Sequence, residues 1–375
     1  MAALVLDPRR RGAPRLTAHA PLFDPYRLAR PFLHRLDPED AHELTLRALE
    51  ANLVPRQPRR DDPILATPLF GRALTNPIGL AAGFDKNARV YDRMAAHGFG
   101  FVEVGGVTPL PQAGNPRPRV FRLPADAAVV NRMGFPNEGA AALEARLRKK
   151  GRPGIGLGIN LASNAESADP AADFVALADR FGGYADYLTL DVSCPNTANG
   201  QVFLDPGRLA ELLARLAAIA WGSRRPALVA KLSPDVDDAL LGRLVATLLE
   251  GRIEGVIVAN TTRARPLGLK EPAAAETGGL SGTPLFAAST AMLARVRTLS
   301  GGSVPLIGVG GIGSGADAYA KIRAGATAVQ LYTGLIYAGT ALVTRIKREL
   351  AALLRADGVS LAEATRGTSA AAGVL

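Results

Sequence analysis

The chain has a single cysteine, Cys194, among 375 residues. This scarcity excludes an intramolecular disulfide, a thiolate zinc site and an iron–sulfur cluster held by this chain alone, and it suits a reducing compartment. Aromatic residues make up 5% of the chain, so stacking platforms for single-stranded nucleic acid are not prominent and no nucleic-acid partner is expected. No apolar run approaches the roughly 18 to 20 residues that span a bilayer. Residues 1–6 are too short for a signal-peptide core.

Histidine is also scarce, and no metal site is predicted. The four histidines all fall in the first hundred residues, away from most predicted strand ends: His19, His34, His42 and His97. We therefore discount histidine as a catalytic base. By elimination, Cys194 is the best candidate for a general base or nucleophile, because a thiol near positive charge and hydrogen-bond donors titrates close to neutrality. The alternative is a lone cysteine used as a small buried apolar residue.

Acidic residues are outnumbered, and the net charge is +10. The first 35 residues hold seven arginines against two acids, which points to anionic lipid, nucleic acid or solubility. Residues 1–24 are predicted to be a flexible basic N-terminus, since they lack periodicity.

Residues 25–60 follow as a predicted small helical module. Ala29, Phe32, Leu33 and Leu36 have helical spacing, and Pro31 should lie in the first turn or break that helix. A second helix should run from an Asp37 N-cap to about Asn52. The pair either caps a barrel end or lies on a membrane surface as a basic amphipathic patch, and from the residues alone the capping role is favoured.

Short apolar runs alternate with helical segments through the rest of the chain. Eight β-like runs with helices between them favour an α/β fold, a (β/α)₈ TIM barrel over residues 61–365, rather than an open doubly wound sheet. The last residues, 366–375, are expected to fray. The eight runs are 76–83, 100–107, 155–160, 187–192, 227–232, 255–260, 304–310 and 328–331.

Several runs end in polar residues, where a barrel carries its chemistry. Cys194 follows the run 187–192 and is surrounded by Ser193, Asn196 and Thr197. Lys86 and Lys231 follow two other runs; such lysines form a Schiff base or act as fixed cations beside an anionic ligand. Amides at the same edge suit an imide or amide-rich ligand, because each offers a donor and an acceptor. These amides are Asn131, Asn160, Asn196 and Asn260.

Glycines cluster at the ends of the last two runs. Residues 308–313 have G-x-G-x-x-G spacing, but they follow the seventh run and not the first, which argues against a dinucleotide fold. At this position of a barrel such glycines expose backbone N–H groups to one phosphate. Gly282 and residues 332–334 would complete the cradle. The alternative explanation is that the glycines occur there only because the loop requires positive φ angles.

Taken together, seven segments resemble the dihydroorotate dehydrogenase family, FMN-containing barrels of pyrimidine (UMP) synthesis. The helical module resembles the extension of the membrane-associated, quinone-reducing class 2 branch. The resemblance therefore implies a peripheral monomer on the cytoplasmic face of the cell membrane, with an anionic lipid surface and a membrane quinone as partners. The matching segments are 76–86, 114–122, 131–135, 193–197, 260–262, 277–282 and 307–312.

The resemblance also implies the ligand sites. Cys194 would remove the C5 proton of dihydroorotate while hydride passes to the flavin, and Lys231 would stabilise the reduced flavin. The implied FMN site comprises Ala82, Gly83, Phe84, Asp85, Lys86, Gly106, Asn160, Asp191, Lys231, Ala259, Gly282, Gly311, Tyr332 and Thr333. The implied dihydroorotate and orotate site comprises Lys86, Asn131, Arg132, Met133, Gly134, Phe135, Asp191, Asn196, Asn260 and Thr261.

Four features depart from the family pattern. Class 2 members typically have serine where this chain has Cys194, and the family has asparagine at Asp191. Gly106 and Ala259 occupy positions of flavin-contacting threonines, and residues 198–203 replace the usual Pro-Gly-Leu-Arg. Two other interpretations stay open: a tRNA dihydrouridine synthase-like flavoenzyme, and a barrel that keeps its cofactor without turnover.

Overall fold

The computed structural model describes residues 25–58, 60–194, 196–222 and 224–366. The flexible N-terminus predicted over residues 1–24 lies outside them, as do residues 367–375 of the predicted tail. Within the described ranges the strands, in chain order, are β1 (Thr67–Leu69), β2 (Arg72–Leu74), β3 (Ile78–Leu80), β4 (Phe101–Val107), β5 (Val120–Leu123), β6 (Ala128–Asn131), β7 (Gly156–Leu161), β8 (Tyr187–Asp191), β9 (Ala227–Leu232), β10 (Gly255–Val258), β11 (Gly279–Gly282), β12 (Leu306–Val309) and β13 (Ala328–Leu331).

The α-helices alternate with the strands from β6 onward, except that no α-helix separates β10 from β11 in the described part of the chain. In the described ranges they are α1 (Tyr26–Leu33), α2 (Pro38–Glu50), α3 (Gly139–Lys150), α4 (Pro170–Phe181), α5 (Pro206–Ala217), α6 (Asp238–Glu250), α7 (Phe286–Leu299), α8 (Gly315–Arg323), α9 (Thr333–Ala338), α10 (Ala341–Asp357) and α11 (Leu361–Arg366).

Eight parallel strands close into a barrel in the order β10, β12, β13, β3, β4, β7, β8, β9. Each of the eight predicted runs overlaps one of these strands, so the predicted (β/α)₈ barrel is confirmed. Nearly every residue in them is buried, as expected for parallel strands covered by helices on one face and by the barrel interior on the other.

Side chains fill the amino-terminal half of the barrel. Phe101 and Tyr187 are buried there, and the β1–β2 hairpin closes that end with Leu69 and Leu74. A Cβ added to Gly79 would lie 2.2 Å from the Phe101 ring, so a larger residue in this strand would displace the ring. Because this end is filled, a ligand has room only at the opposite, carboxyl end.

Helices α1 and α2 lie across the carboxyl end of the barrel. Tyr26 donates to the carbonyl of Ile336 at 2.6 Å, and Glu39 pairs with Arg119 at 2.8 Å. The Asp37 N-cap is confirmed, since its carboxylate accepts from two backbone N–H groups of α2. The expectation for Pro31 was wrong, because it lies inside α1 near its end. The hydrogen bond from Tyr26 to the barrel holds this short helix in place, although Pro31 has no N–H to complete a helical hydrogen bond.

A second sheet stands beside the barrel mouth. Strands β5, β6 and β11 form it in the antiparallel order β11, β6, β5, with Asn131 opposite Gly279. The sequence pattern did not predict this sheet. It brings the loop after β6 to the carboxyl ends of the barrel strands.

Candidate active site

A large cavity of about 1280 Å³ opens at the carboxyl end of the barrel and extends beneath α1 and α2. Every predicted site residue except Arg132 contributes to its lining. The structure therefore brings together residues that lie up to about 250 positions apart in the sequence. Their individual roles remain predictions.

Cys194 lies in the cavity wall and is 7% exposed. Burial, and next the carboxyl group of Asp191, raise the pKa of its thiol to about 12. The following turn lies close to it, since a Cβ on Gly200 would be 2.2 Å from the Cys194 carbonyl. This glycine belongs to the 198–203 run that departs from the family pattern, so the departure shapes the loop that holds the thiol.

Asp191 ends β8 and pairs in register with Lys231 of β9. Its Oδ1 accepts a hydrogen bond from Asn260 Nδ2 at 3.0 Å. Burial raises the pKa of the Asp191 carboxyl, while Lys231 acts in the opposite direction. Asp191 is thus a buried titratable group between a cation and the thiol, where the family pattern has a neutral amide.

Residues 82–86 form the loop after β3. Lys86 Nζ donates to the Gly83 carbonyl at 2.6 Å, and burial lowers the pKa of its ammonium to about 8. The Asp85 carboxylate accepts from the backbone N–H groups of Arg89 and Val90, both at 2.7 Å. Asp85 therefore shapes the loop with its carboxylate, and Lys86 is the residue of the pair that provides a charge for a ligand.

Two buried side-chain amide oxygens in the cavity lining have no protein partner among the described residues. Glu103 accepts from the side-chain amides of Asn160 at 3.0 Å and Gln330 at 2.7 Å, and from the Tyr187 hydroxyl at 3.0 Å. The amide oxygens of Asn160 and Gln330 remain unpaired, and both residues line the cavity. Because an unpaired buried acceptor is costly, they point to a ligand that donates hydrogen bonds.

Three glycines at the ends of two strands, β11 and β12, converge on the other side of the cavity. Gly282, Gly310 and Gly311 have φ values of +95°, +104° and +76°. A Cβ on Gly282 would be 3.0 Å from Thr333 Cγ2, and one on Gly311 would be 2.8 Å from the Phe286 nitrogen at the start of α7. The three glycines line the cavity, and the lack of a side chain at Gly311 lets its backbone lie against the start of α7. A helix amino terminus beside glycine backbone is an arrangement that suits an anion.

The loop over residues 131–135 is tied to the cysteine loop by Asn115. Its amide donates to the carbonyls of Arg132 at 2.8 Å and Asn196 at 3.1 Å. The prediction for Arg132 does not match the structure: its side chain leaves the cavity, pairs with Glu276 at 2.8 Å and lies over the Phe121 ring. The ion pair and the ring outside the cavity hold the guanidinium there.

The glycine at position 106 leaves space that a ring occupies. A Cβ on Gly106 would lie 2.8 Å from the Phe135 ring and 3.0 Å from Asn160 Oδ1. A threonine at this position would require Phe135 to move. The Phe135 ring therefore occupies the space that a threonine side chain would need at position 106.

The sequence reasoning missed His42 and Gln330. His42 lies on α2 between the rings of Phe84 and Tyr332, with centroids 5.3 and 6.3 Å away. Burial, and next Lys86, lower the pKa of its imidazole to about 3, so it is neutral near pH 7. In the sequence, the one feature that could have drawn attention to His42 is its position close to the Asp37 N-cap. Gln330 carried a clearer one, as a lone amide within an apolar strand.

Comparison with known proteins gives the same family. A model of the family described as dihydroorotate dehydrogenase matches residues 64–354. The dihydroorotate dehydrogenase (quinone) of Parvibaculum lavamentivorans is 52% identical over 337 residues, covering 89% of this chain and 96% of that protein. The mitochondrial dihydroorotate dehydrogenase (quinone) of Arabidopsis thaliana is 45% identical, covering 90% and 80%.

A solved structure agrees with these relatives. The Eimeria tenella DHODH in complex with ferulenol superimposes with a TM-score of 0.84 at 37% identity, covering 88% of this chain and 95% of that one. Both the sequence identity and the coverage extend over the barrel and its site. The chain therefore belongs to the dihydroorotate dehydrogenase family.

Proposed function

We propose that this protein oxidises dihydroorotate to orotate in pyrimidine synthesis, with FMN as its cofactor and a membrane quinone as electron acceptor. The observation that carries the proposal is one continuous cavity. It joins Cys194 and the unpaired amides in the barrel to the space beneath α1 and α2. A substrate and a second, apolar reactant can therefore reach the same cofactor.

The residues at the barrel mouth fit FMN. The unpaired oxygens of Asn160 and Gln330 suit the imide N–H of a flavin ring, and Gly282, Gly310 and Gly311 suit its phosphate. The chemistry that bound FMN would supply is acceptance of hydride from substrate C6 and transfer of electrons to the quinone. The protein supplies orientation, charge and a proton acceptor.

Cys194 is the proposed base for the C5 proton of dihydroorotate. Its thiolate is scarce at neutral pH because the thiol pKa is about 12. Lys86 and Asn260 would hold the anionic carboxylate and the amide edge of the ring. Lys231, at the end of β9, would oppose negative charge that develops beside it.

The two N-terminal helices form the proposed quinone side. Tyr26, Phe32 and Leu49 line the cavity together with His42. No helix in the described ranges is long and apolar enough to cross a bilayer. Leu28 and Phe32 lie one turn apart on α1 and are 72% and 60% exposed. We propose that this face, with its exposed arginines, lies on an anionic membrane at the cytoplasmic surface.

Removing the exposed apolar pair should weaken lipid binding. The double variant Leu28→Ser and Phe32→Ser should partition into anionic vesicles at least about tenfold less, since each side chain contributes on the order of 1.5 kcal/mol when buried. Vesicle cosedimentation measures it. Leu299→Ser, at the far end of α7 and 40% exposed in the parent, is the matched control. Equal binding by all three proteins would contradict the membrane assignment.

An acceptor panel tests the proposed reaction. With dihydroorotate as donor, ubiquinone should support turnover while fumarate and NAD⁺ should not. Reduction of fumarate or NAD⁺ in place of quinone would overturn the proposed acceptor. A flavin-containing sample that transfers no electrons from dihydroorotate to any acceptor would favour the non-catalytic alternative.

A further inference from the structure

Lys321 of α8 is a buried cation with no carboxylate at ion-pair distance in the described ranges. It is 0% exposed. Its ammonium donates to Ser289 Oγ at 2.8 Å and Thr290 Oγ1 at 3.0 Å, and it lies 5.1 Å from the centroid of the Phe286 ring. Buried lysines are normally paired with an opposite charge, so the protein alone leaves this one without a compensating anion.

The ammonium lies directly behind the glycine cradle. The Lys321 stem packs on Gly308, whose added Cβ would lie 3.0 Å from Lys321 Cδ. Ser289 Oγ, which accepts from the ammonium, donates to the Leu285 carbonyl at 2.8 Å. It also packs against Gly310, whose carbonyl lies 3.4 Å away and whose added Cβ would lie 2.9 Å from it. A Cβ on Gly311 would be 2.4 Å from Phe286 Cβ. The residues around the ammonium are therefore those that support Gly310 and Gly311.

Two sources of positive potential coincide at this point. The first turn of α7 contains Phe286 and Ser289, and a helix amino terminus carries partial positive charge. A lysine charge next to that turn is unfavourable unless an anion lies in front of both. The neighbouring α8 provides Asp317, but its carboxylate accepts from Gly313 N at 3.0 Å and Ser314 Oγ at 2.8 Å at its own helix start.

We propose that Lys321 is a positioning residue for the phosphate of the bound flavin nucleotide, acting through the Gly310–Gly311 loop without touching the phosphate. The phosphate is the counter-charge that the buried ammonium lacks. Lys321 thereby makes the site select a phosphorylated flavin over one without phosphate. This inference rests on the proposed FMN cofactor.

The proposal has a protonation consequence. Burial lowers the pKa of the Lys321 ammonium to about 7, and Asp317 acts against that shift. The other groups that face it are the hydroxyls of Ser289 and Thr290 and the Phe286 ring, none of which titrates near neutrality. A phosphate dianion in the cradle would raise this pKa. At about pH 8 the phosphate is already a dianion, since its second pKa is about 6, so proton uptake on binding reports the lysine.

The experiment compares FMN with riboflavin, which has no phosphate. Flavin-depleted full-length protein is titrated with each, and quenching of flavin fluorescence gives the dissociation constants. Lys321→Met should weaken FMN binding by at least about tenfold and change riboflavin binding by less than about threefold. Lys321→Arg, which keeps the charge, should recover most of the preference. Equal losses for both flavins, or no loss, would overturn the proposal.

If the Lys321→Met variant fails to fold, a calorimetric measurement on the unmodified protein tests the proposal instead. Binding enthalpies at about pH 8 in buffers of different ionisation enthalpy should show net proton uptake with FMN and none with riboflavin. Absence of that difference would overturn the inference while leaving the cofactor proposal intact. If the unmodified protein binds neither flavin, the cofactor proposal itself fails.

Discussion

Replacing Cys194 by alanine should leave flavin bound but slow flavin bleaching by dihydroorotate by about 10² to 10⁴-fold, the usual contribution of a positioned base. The reason is geometric. Cys194 lines the cavity next to Asp191 and Asn260, the predicted substrate residues, and the thiol is the group there whose deprotonated form can take a proton from carbon. Anaerobic stopped-flow absorbance measures the bleaching.

Two variants separate the base from the fold around it. Cys194→Ser keeps a titratable hydroxyl of similar size and should retain measurable bleaching with an altered pH dependence. Ser193→Ala removes a neighbouring hydroxyl that donates to the Lys231 carbonyl at 2.8 Å, and it should leave the bleaching rate within about threefold of the unmodified protein. Undiminished bleaching by Cys194→Ala, with flavin content equal to that of the unmodified protein, would remove Cys194 from the base role.

The barrel was predictable because each parallel strand is buried on both faces, which leaves a short apolar run in the sequence. The predicted ends of the strands differ from the observed ends by up to a few residues. The β5–β6–β11 sheet was missed because its strands have four residues each and because β11 pairs with β6 across about 150 positions. Such pairing has no local signal.

The site was predictable where a residue lies at or just after the carboxyl end of a strand, as Lys231 does within β9 and Cys194 and Lys86 do after β8 and β3. His42 was discounted as a base because it lies in the first hundred residues, away from the predicted strand ends, yet α2 folds over the mouth and brings it between Phe84 and Tyr332. Arg132 was assigned to the ligand because its neighbours were. Side-chain direction in a loop depends on partners such as Glu276, which lies 144 positions away. The burial of charged residues such as Glu103 and Lys321 could not be predicted without the fold.

Replacing Asp191 by asparagine should move the pH dependence of flavin bleaching to lower pH. The ionised carboxyl raises the Cys194 pKa, which burial and this charge together bring to about 12. Bleaching by the unmodified protein should therefore increase with pH across the neutral and alkaline range. An asparagine removes the negative charge, so the thiol pKa falls, and each unit of decrease multiplies the thiolate fraction at fixed pH about tenfold.

The same change should also tighten binding of the anionic substrate, because a buried negative charge beside the pocket is removed. The Asp191→Asn side chain would keep an acceptor for Asn260 Nδ2, so the local hydrogen bond survives. Asp191→Ala is the control that removes both charge and acceptor. If charge is the cause, both variants shift the pH profile downward and bind orotate more tightly than the unmodified protein. The alanine variant should gain less affinity, because it lacks the acceptor that holds Asn260 Nδ2. Stopped-flow bleaching from about pH 6 to pH 10 measures the profile. An upward shift in the asparagine variant would contradict the charge argument, and an unchanged profile would show that Asp191 is already protonated at these pH values. In that case, aspartate in place of the family's asparagine would not lower the thiolate fraction of Cys194, and burial alone would account for its high thiol pKa.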